Sequence, residues 1–296
     1  MKPLDSKNHI ELRSILLATD FFPASEVALP HALRIASQYG SKLYIAHVIS
    51  PDVTDVVSPD STETMVQGAR RLAQQKMEHL LSAAGQAGVS CQPLIREGVI
   101  WDVLQDMIHE NGIDLIVVGT HGRRGLRKLL LGSVTEEVFR LASCPVLTVG
   151  PRTSETRSKD VGLSHILYPL EFVPDLSDAA AYAVSLAEEY HAKLTLMRVL
   201  DHVVPSSELK AAVEEPVRHW MDDHIPTESD LRKRTCFEPG FGPTAEAILK
   251  FAGDRDVNLI VMSVRRLDPV MAAHFDKPDT GYAVVRNAPC PVLTVR

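Results

Sequence analysis

Two hydrophobic rhythms alternate along the chain. Short, nearly continuous apolar runs occupy Ser14–Thr19, Lys42–Ile49, Cys91–Arg96, Asp114–Gly119 and Pro145–Val149, the signature of strands buried on both faces. Between them lie longer segments whose apolar residues recur at helical spacing. Ala24–Gln38 carries Val27, Ala28, Ala32, Leu33, Ile35 and Ala36; Thr62–Ala87 carries a stripe of Leu72, Met77, Leu80 and Leu81; Ile100–His109 and Ser133–Arg140 complete the set. Strand, helix, strand in strict alternation predicts an α/β fold, a doubly wound parallel sheet of five strands flanked by helices. Its crossovers are expected to be right-handed, and its ligands to bind at the carboxyl ends of the strands.

The pattern then repeats. Cys144-Pro-Val-Leu-Thr-Val149 returns unchanged as Cys290-Pro-Val-Leu-Thr-Val295. Ile113–Val118 parallels Val257–Met262, Ser14–Phe21 parallels His165–Phe172, and Ala36–Leu43 parallels Ala187–Leu194. Four matched blocks in one order mean a duplication. The expected division is a first domain over 1–150, a polar linker over 151–164 and a second domain over 165–296. In the second copy, Pro205–His224 is expected to be a helix interrupted at Pro216, with Leu209, Ala212, Val213, Val217 and Trp220 on one face. A length of 296 residues suits two domains of about 150 residues each.

Composition narrows the class. A hydrophobic share of 45% supports ordinary packed cores. No run reaches the roughly 20 apolar residues of a membrane-spanning helix, and Met1–Arg13 lacks the apolar stretch of a signal peptide. A cytoplasmic protein with no membrane partner is expected. The net charge of -7 argues against nucleic acid as a partner. Cys91, Cys144, Cys236 and Cys290 form no CxxC pair, so neither zinc nor a dithiol motif is indicated. His219 and His224 are five apart, a poor spacing for two ligands on one helix face, and no metal site is expected.

The chemistry concentrates directly after the fourth predicted strand. Gly119-Thr-His-Gly122-Arg-Arg-Gly125-Leu-Arg-Lys-Leu-Leu-Leu-Gly132-Ser133-Val-Thr135 joins that strand to the next helix. Glycine permits positive φ and close approach of a ligand to the backbone. Successive amides form an anion nest, and Ser133, Val134 and Thr135 lie where a helix offers free N–H groups to negative charge. Arg123, Arg124, Arg127 and Lys128 add cations, and His121 adds a further donor. A structural loop capped by Ser133 is the plainer alternative.

Gly119, Gly122, Gly132 and Ser133 fit G-x2-G-x9-G-(S/T), and here the chain resembles the ATP-binding branch of the universal stress proteins. Thr19-Asp20 after the first strand, His47-Val48 at the end of the second and Cys144-Pro145-Val146 also look like that family, and the resemblance spans both halves. It implies that Asp20 lies near adenine and ribose, that Val48 meets adenine through its backbone, that Gly119 and Gly122 line ribose and phosphates, and that Gly132 and Ser133 hold the phosphate tail, with Mg²⁺ as an optional companion. It also implies that Pro145–Val149 and Pro291–Val295 pair within the chain, protecting two strand edges, a homodimer being the other arrangement open to such edges.

The second copy departs from the motif. Ser263–Gly281 has no glycine at the positions equivalent to 119, 122 and 132, while Pro269 and Pro278 remove backbone donors and Asp268, Asp276 and Asp279 repel phosphate. No equivalent ATP site is expected there; Glu171, in place of Asp20, rescues little. There is no Walker G-x4-G-K-(S/T), no H-x-G-H and no Ser-His-Asp set. The expected function is a stress-response protein that binds ATP in its first domain as a nucleotide-dependent regulatory module and answers to an unnamed protein partner. A weak ATP hydrolase using the same site and a nucleotide-free scaffold are the alternatives.

Overall fold

The computed structural model describes residues 10–50, 59–120, 131–150, 162–170, 178–200, 207–264 and 280–296. The chain divides into two compact units, one of Glu11–Pro151 and one of Arg152–Arg296 together with Met1–Ile10.

In the first unit, β1 (Ser14–Ala18), β2 (Lys42–Ile49), β3 (Cys91–Glu97), β4 (Leu115–Gly119) and β5 (Val146–Val149) lie in the order β3-β2-β1-β4-β5. All neighbours run parallel: Leu16 stands between Tyr44 and Ile116, and Ala18 between Ala46 and Val118. The helices are α1 (Pro23–Glu26), α2 (Leu29–Tyr39), α3 (Pro59–Gln86), α4 (Ile100–Asn111) and α5 (Ser133–Leu141). Leu16, Ala18, Tyr44, Ala46, Ile116 and Val118 point to one face and pack with Leu104, Met107 and Ile108 of α4 and Val138 of α5. The alternate residues Ile15, Leu17, Ile45 and Val117, all essentially inaccessible to solvent, face the other side, where α2 and α3 cover the sheet. This two-sided burial is why the strands read as unbroken apolar runs.

Three helical expectations are revised. The single helix over 24–38 is two, because Pro30 has no N–H and its ring crowds the carbonyl of Glu26; α1 stops there and α2 restarts with Pro30 in its first turn. The buried stripe of α3 is Ala73, Met77, Leu80 and Ala84. Leu72 sits one residue, about 100°, off that line and is 54% exposed. In the second unit, α7 (Ser207–His224) continues through Pro216. Beyond the proline, Val217 is fully buried and the Trp220 ring lies 5.5 Å from that of Tyr168, so tertiary packing holds the turn that local propensity would break. The side chains of 207–213 lie outside the described residues.

The second unit repeats the plan. β6 (His165–Pro169), β7 (Lys193–Leu200), β8 (Thr235–Phe241), β9 (Leu259–Ser263) and β10 (Val292–Val295) take the order β10-β9-β6-β7-β8, again parallel. Its other helices are α6 (Ala179–Glu189), α8 (Leu231–Arg234), α9 (Thr244–Asp254) and α10 (Thr280–Asn287).

Equivalent clamps tie the amino ends of the central strands. Asp114 Oδ2 accepts the amides of Arg13 and Ser14 at 2.8 and 2.9 Å. Asn258 Oδ1 accepts those of Ser164 and His165 at 3.1 and 2.9 Å. Both helices that precede the second strand of a unit end in a left-handed residue: Gly40, φ 64°, and His191, φ 50°. Glycine adopts that conformation without strain; histidine does not.

Two outcomes are expected in chemical denaturation. Asp114→Ala orphans two strand amides and lowers stability by about 1–3 kcal/mol. His191→Gly relieves the left-handed histidine and raises stability by about 1 kcal/mol.

Candidate functional site

The winding of the first sheet reverses between β1 and β4, and in open sheets of this class ligands bind in the crevice beyond the carboxyl ends at such a reversal. Thr19 leaves β1 with its N–H donating to Ala46 O at 3.0 Å. Its hydroxyl lies 3.0 Å from Ser25 Oγ and accepts the Phe21 amide at 3.0 Å. Asp20 follows, half-buried; its Oδ1 accepts the Phe22 amide at 3.1 Å, an Asx turn that aims the carboxylate at the start of the loop. Phe21 then adopts φ 61°, a left-handed strain for a bulky residue beside a candidate site. It is held there by its neighbours. The ring lies 4.3 Å from that of His47, and Lys76 Nζ of α3 stands 5.9 Å from it while donating to Phe21 O at 3.4 Å. His47 Nδ1 bonds Thr19 O at 2.8 Å; since a carbonyl only accepts, Nδ1 carries the proton. Val48, the penultimate residue of β2, lies beside it, partly buried against the α4–α5 core.

On the other side of the crevice, Gly119 ends β4 and Thr120 donates to Val149 O at 2.9 Å. The Gly132 amide donates to Thr120 O at 2.9 Å, so the two ends of the glycine- and arginine-rich segment are tied together at its neck. Gly132 is the N-cap of α5 with φ -61° and ψ 143°. Any residue adopts those angles, so positive φ does not explain glycine here. The first intrahelical bond is Glu136 N to Gly132 O at 2.8 Å. Ser133, Val134 and Thr135 thus sit where helical amides have no intrahelical acceptor, adding partial positive charge to the crevice. Ser133 is exposed, whereas the Val134 side chain packs on the core.

Thr135 has a different task from its neighbours. Its hydroxyl is buried and donates to Gly119 O at 2.6 Å, pinning the start of α5 to the end of β4. That pin was not visible in the sequence, where Thr135 reads as one more polar residue of a helix start. His47 and Lys76 were also missed as site residues, since the contacts that place them come from β2 and α3. His121, Gly122 and Arg123, with Arg124, Arg127 and Lys128, lie outside the described residues.

The second unit keeps the frame and changes its furnishings. Leu170, equivalent to Thr19, donates to Met197 O at 2.7 Å, and Val264, equivalent to Thr120, donates to Val295 O at 2.9 Å. Arg198 stands in the place of His47 and donates to Leu170 O at 3.1 Å. The Gly119–Thr135 pair becomes Ser263 and Gly281, so the pin has no hydroxyl to make it. Glu171 and 265–279 lie outside the described residues, and among those described no cluster of three potential metal ligands occurs. No described helix is long and apolar enough to cross a membrane.

Comparison with known proteins agrees with this duplicated architecture. The model of the universal stress protein family matches residues 11–150 and again 162–296. A universal stress protein of Methanocaldococcus jannaschii, MJ0531, is 32% identical over 140 residues, covering 46% of this chain and 81% of that protein. One from Mycolicibacterium smegmatis is 33% identical over 149 residues, covering 50% of this chain and 49% of that one. The crystal structure of a universal stress protein from Archaeoglobus fulgidus aligns with a TM-score of 0.71 at 18% identity, over 96% of this chain and 98% of that chain; at that identity the likeness concerns the fold.

Thr135→Val removes the pin and leaves Gly119 O buried without that donor. The expected cost is about 1–3 kcal/mol, read by denaturant unfolding of the full chain, with Thr135→Ser retaining most of the stability.

Proposed function

The chain belongs to the universal stress protein family, and on that premise we propose that its first domain binds ATP, with Mg²⁺ on the phosphate tail, as the nucleotide-dependent element of a stress-response module. The observation that carries this reading is the crevice between β1 and β4, walled by the tied neck of a glycine-rich segment and faced by the start of α5. Three features suit a polyphosphate. Helix-start amides at 133–135 and the basic residues of the segment supply positive charge. Gly132, the N-cap of α5, carries no side chain, so a ligand can approach its backbone closely. Asp20 reaches the same crevice from the opposite wall, with one oxygen held in its turn and the other available to a ribose hydroxyl.

In this reading Gly119, His121, Gly122, Arg123, Gly132, Ser133 and Val134 contact ribose and phosphates, mainly through backbone amides. Val48 meets adenine through its backbone. Thr135 acts indirectly, as the residue that positions α5 against β4. The second domain lacks the glycines and the pin, and its Pro278 stands where Gly132 would be; it contributes no site of this kind.

Purified protein is expected to release one adenine nucleotide per chain, identified by mass spectrometry, and to bind ATP–Mg²⁺ with matching stoichiometry in calorimetric titration. Gly132→Val should weaken that binding at least tenfold, about 1.4 kcal/mol, with the circular dichroism spectrum unchanged. Two nucleotides per chain would place a working site in the second domain as well. No nucleotide and no heat of binding would leave the segment a structural loop.

A further inference from the structure

A line of polar side chains crosses the interior of the second unit at the amino end of its sheet. His165 opens β6, Thr195 lies on β7 and Cys236 on β8, and all three point to the same face. His165 Nδ1 lies 3.0 Å from Arg255 O, His165 Nε2 lies 2.8 Å from Thr195 Oγ1, and Thr195 Oγ1 lies 3.2 Å from Cys236 Sγ. Thr195 is wholly buried, His165 is 9% exposed, and Cys236 is partly open to solvent.

The carbonyl at one end sets the direction of every bond. Arg255 O only accepts, so Nδ1 bears a proton. In the neutral ring Nε2 is then an acceptor, so Thr195 donates to it, and the hydroxyl oxygen in turn accepts from the thiol. The same geometry serves the reverse polarity. With a second proton on the imidazole, Nε2–H donates to Thr195 and Thr195 donates to a thiolate. Moving two hydrogens along the line converts thiol and imidazole into thiolate and imidazolium without moving a heavy atom.

Packing alone does not call for this line. The first unit has the same registers but places Ser14, Tyr44 and Gln92 at the three positions, and there the core is completed by the buried Tyr44 ring. The other cysteines sit differently. Burial pushes the Cys91 thiol up to about 11 and the Cys144 thiol up to about 12, and Cys290 is buried.

We propose that Cys236 is a nucleophilic thiol that reacts with small peroxides, its proton passing through Thr195 to His165. This inference is independent of the nucleotide reading. The sulfur attacks one peroxide oxygen, an S–O bond forms and the O–O bond breaks. Sulfur is oxidised by two electrons to the sulfenic acid and the peroxide is reduced; the proton stored on His165 neutralises the departing hydroxide as water.

The test treats reduced full-length protein with limiting hydrogen peroxide, traps sulfenic acid with dimedone and maps adducts by peptide mass spectrometry. Cys236 should carry the first adduct, at a rate about tenfold or more above Cys91 and Cys144. Thr195→Val, which keeps the shape but breaks the line, should slow Cys236 by about tenfold, while Thr195→Ser retains the rate. Equal rates in the valine variant and the wild type would overturn the proposal. So would a wild-type ranking in which another cysteine reacts before Cys236, a result that stands even where the valine variant fails to fold.

Discussion

The reversal of winding at β1 governs the first domain. β1 pairs with β2 on one side and β4 on the other, and the chain leaves these strands in opposite directions. No connection crosses between them, so backbone groups at their carboxyl ends must be satisfied by other means. Thr19 is tied to β2 through Ala46 O and His47, and Thr120 to β5 through Val149 O. The Gly119 carbonyl is closed by the Thr135 hydroxyl. Each contact meets a backbone requirement first, and together they hold a crevice with an acidic residue on one wall and a helix start on the other. Phe21 shows the cost of that arrangement: its left-handed backbone is sustained by His47 and Lys76 rather than by local preference.

Duplication lets the two units serve as controls for one another. Contacts that belong to the frame recur with altered chemistry. Asp114 and Asn258 clamp the same strand ends, His47 and Arg198 brace the same carbonyl, and Gly40 and His191 turn the same corner. Each pair shares the donor or acceptor capacity, or the backbone angle, that the position demands. Contacts that belong to a site do not recur. Among the described residues, Gly281 stands where Thr135 makes its bond to Gly119, and Ser14, Tyr44 and Gln92 stand where His165, Thr195 and Cys236 form their line. One frame therefore carries two unrelated polar arrangements, at opposite ends of its strands.

The apolar runs and their repetition determined the strands, their parallel class and the presence of two copies, because a strand buried on both faces has no other way to look. The glycine spacing after β4 pointed to the carboxyl end of the sheet, since loops there are where a backbone can open to a ligand. Helix detail was less legible. A residue shifted by one position moves about 100° around a helix, which is why Leu72 lies outside the buried stripe. Whether Pro216 breaks a helix depends on the packing of Val217 and Trp220, which local sequence does not contain.

What only the tertiary structure decided are relations between residues far apart in the chain. Thr135 reaches Gly119, His47 reaches Thr19, and His165 reaches Cys236 through Thr195, across 16, 28 and 30 then 41 positions. In sequence these are a helix-start threonine, a strand histidine and a cysteine without a nearby partner. Parallel pairing brings them together, because its crossovers place strands in contact only after a helix or more of intervening chain. Hydrophobic periodicity is a local signal and survives in the sequence; hydrogen-bond partnership between strands is not, and exists only once the sheet has formed.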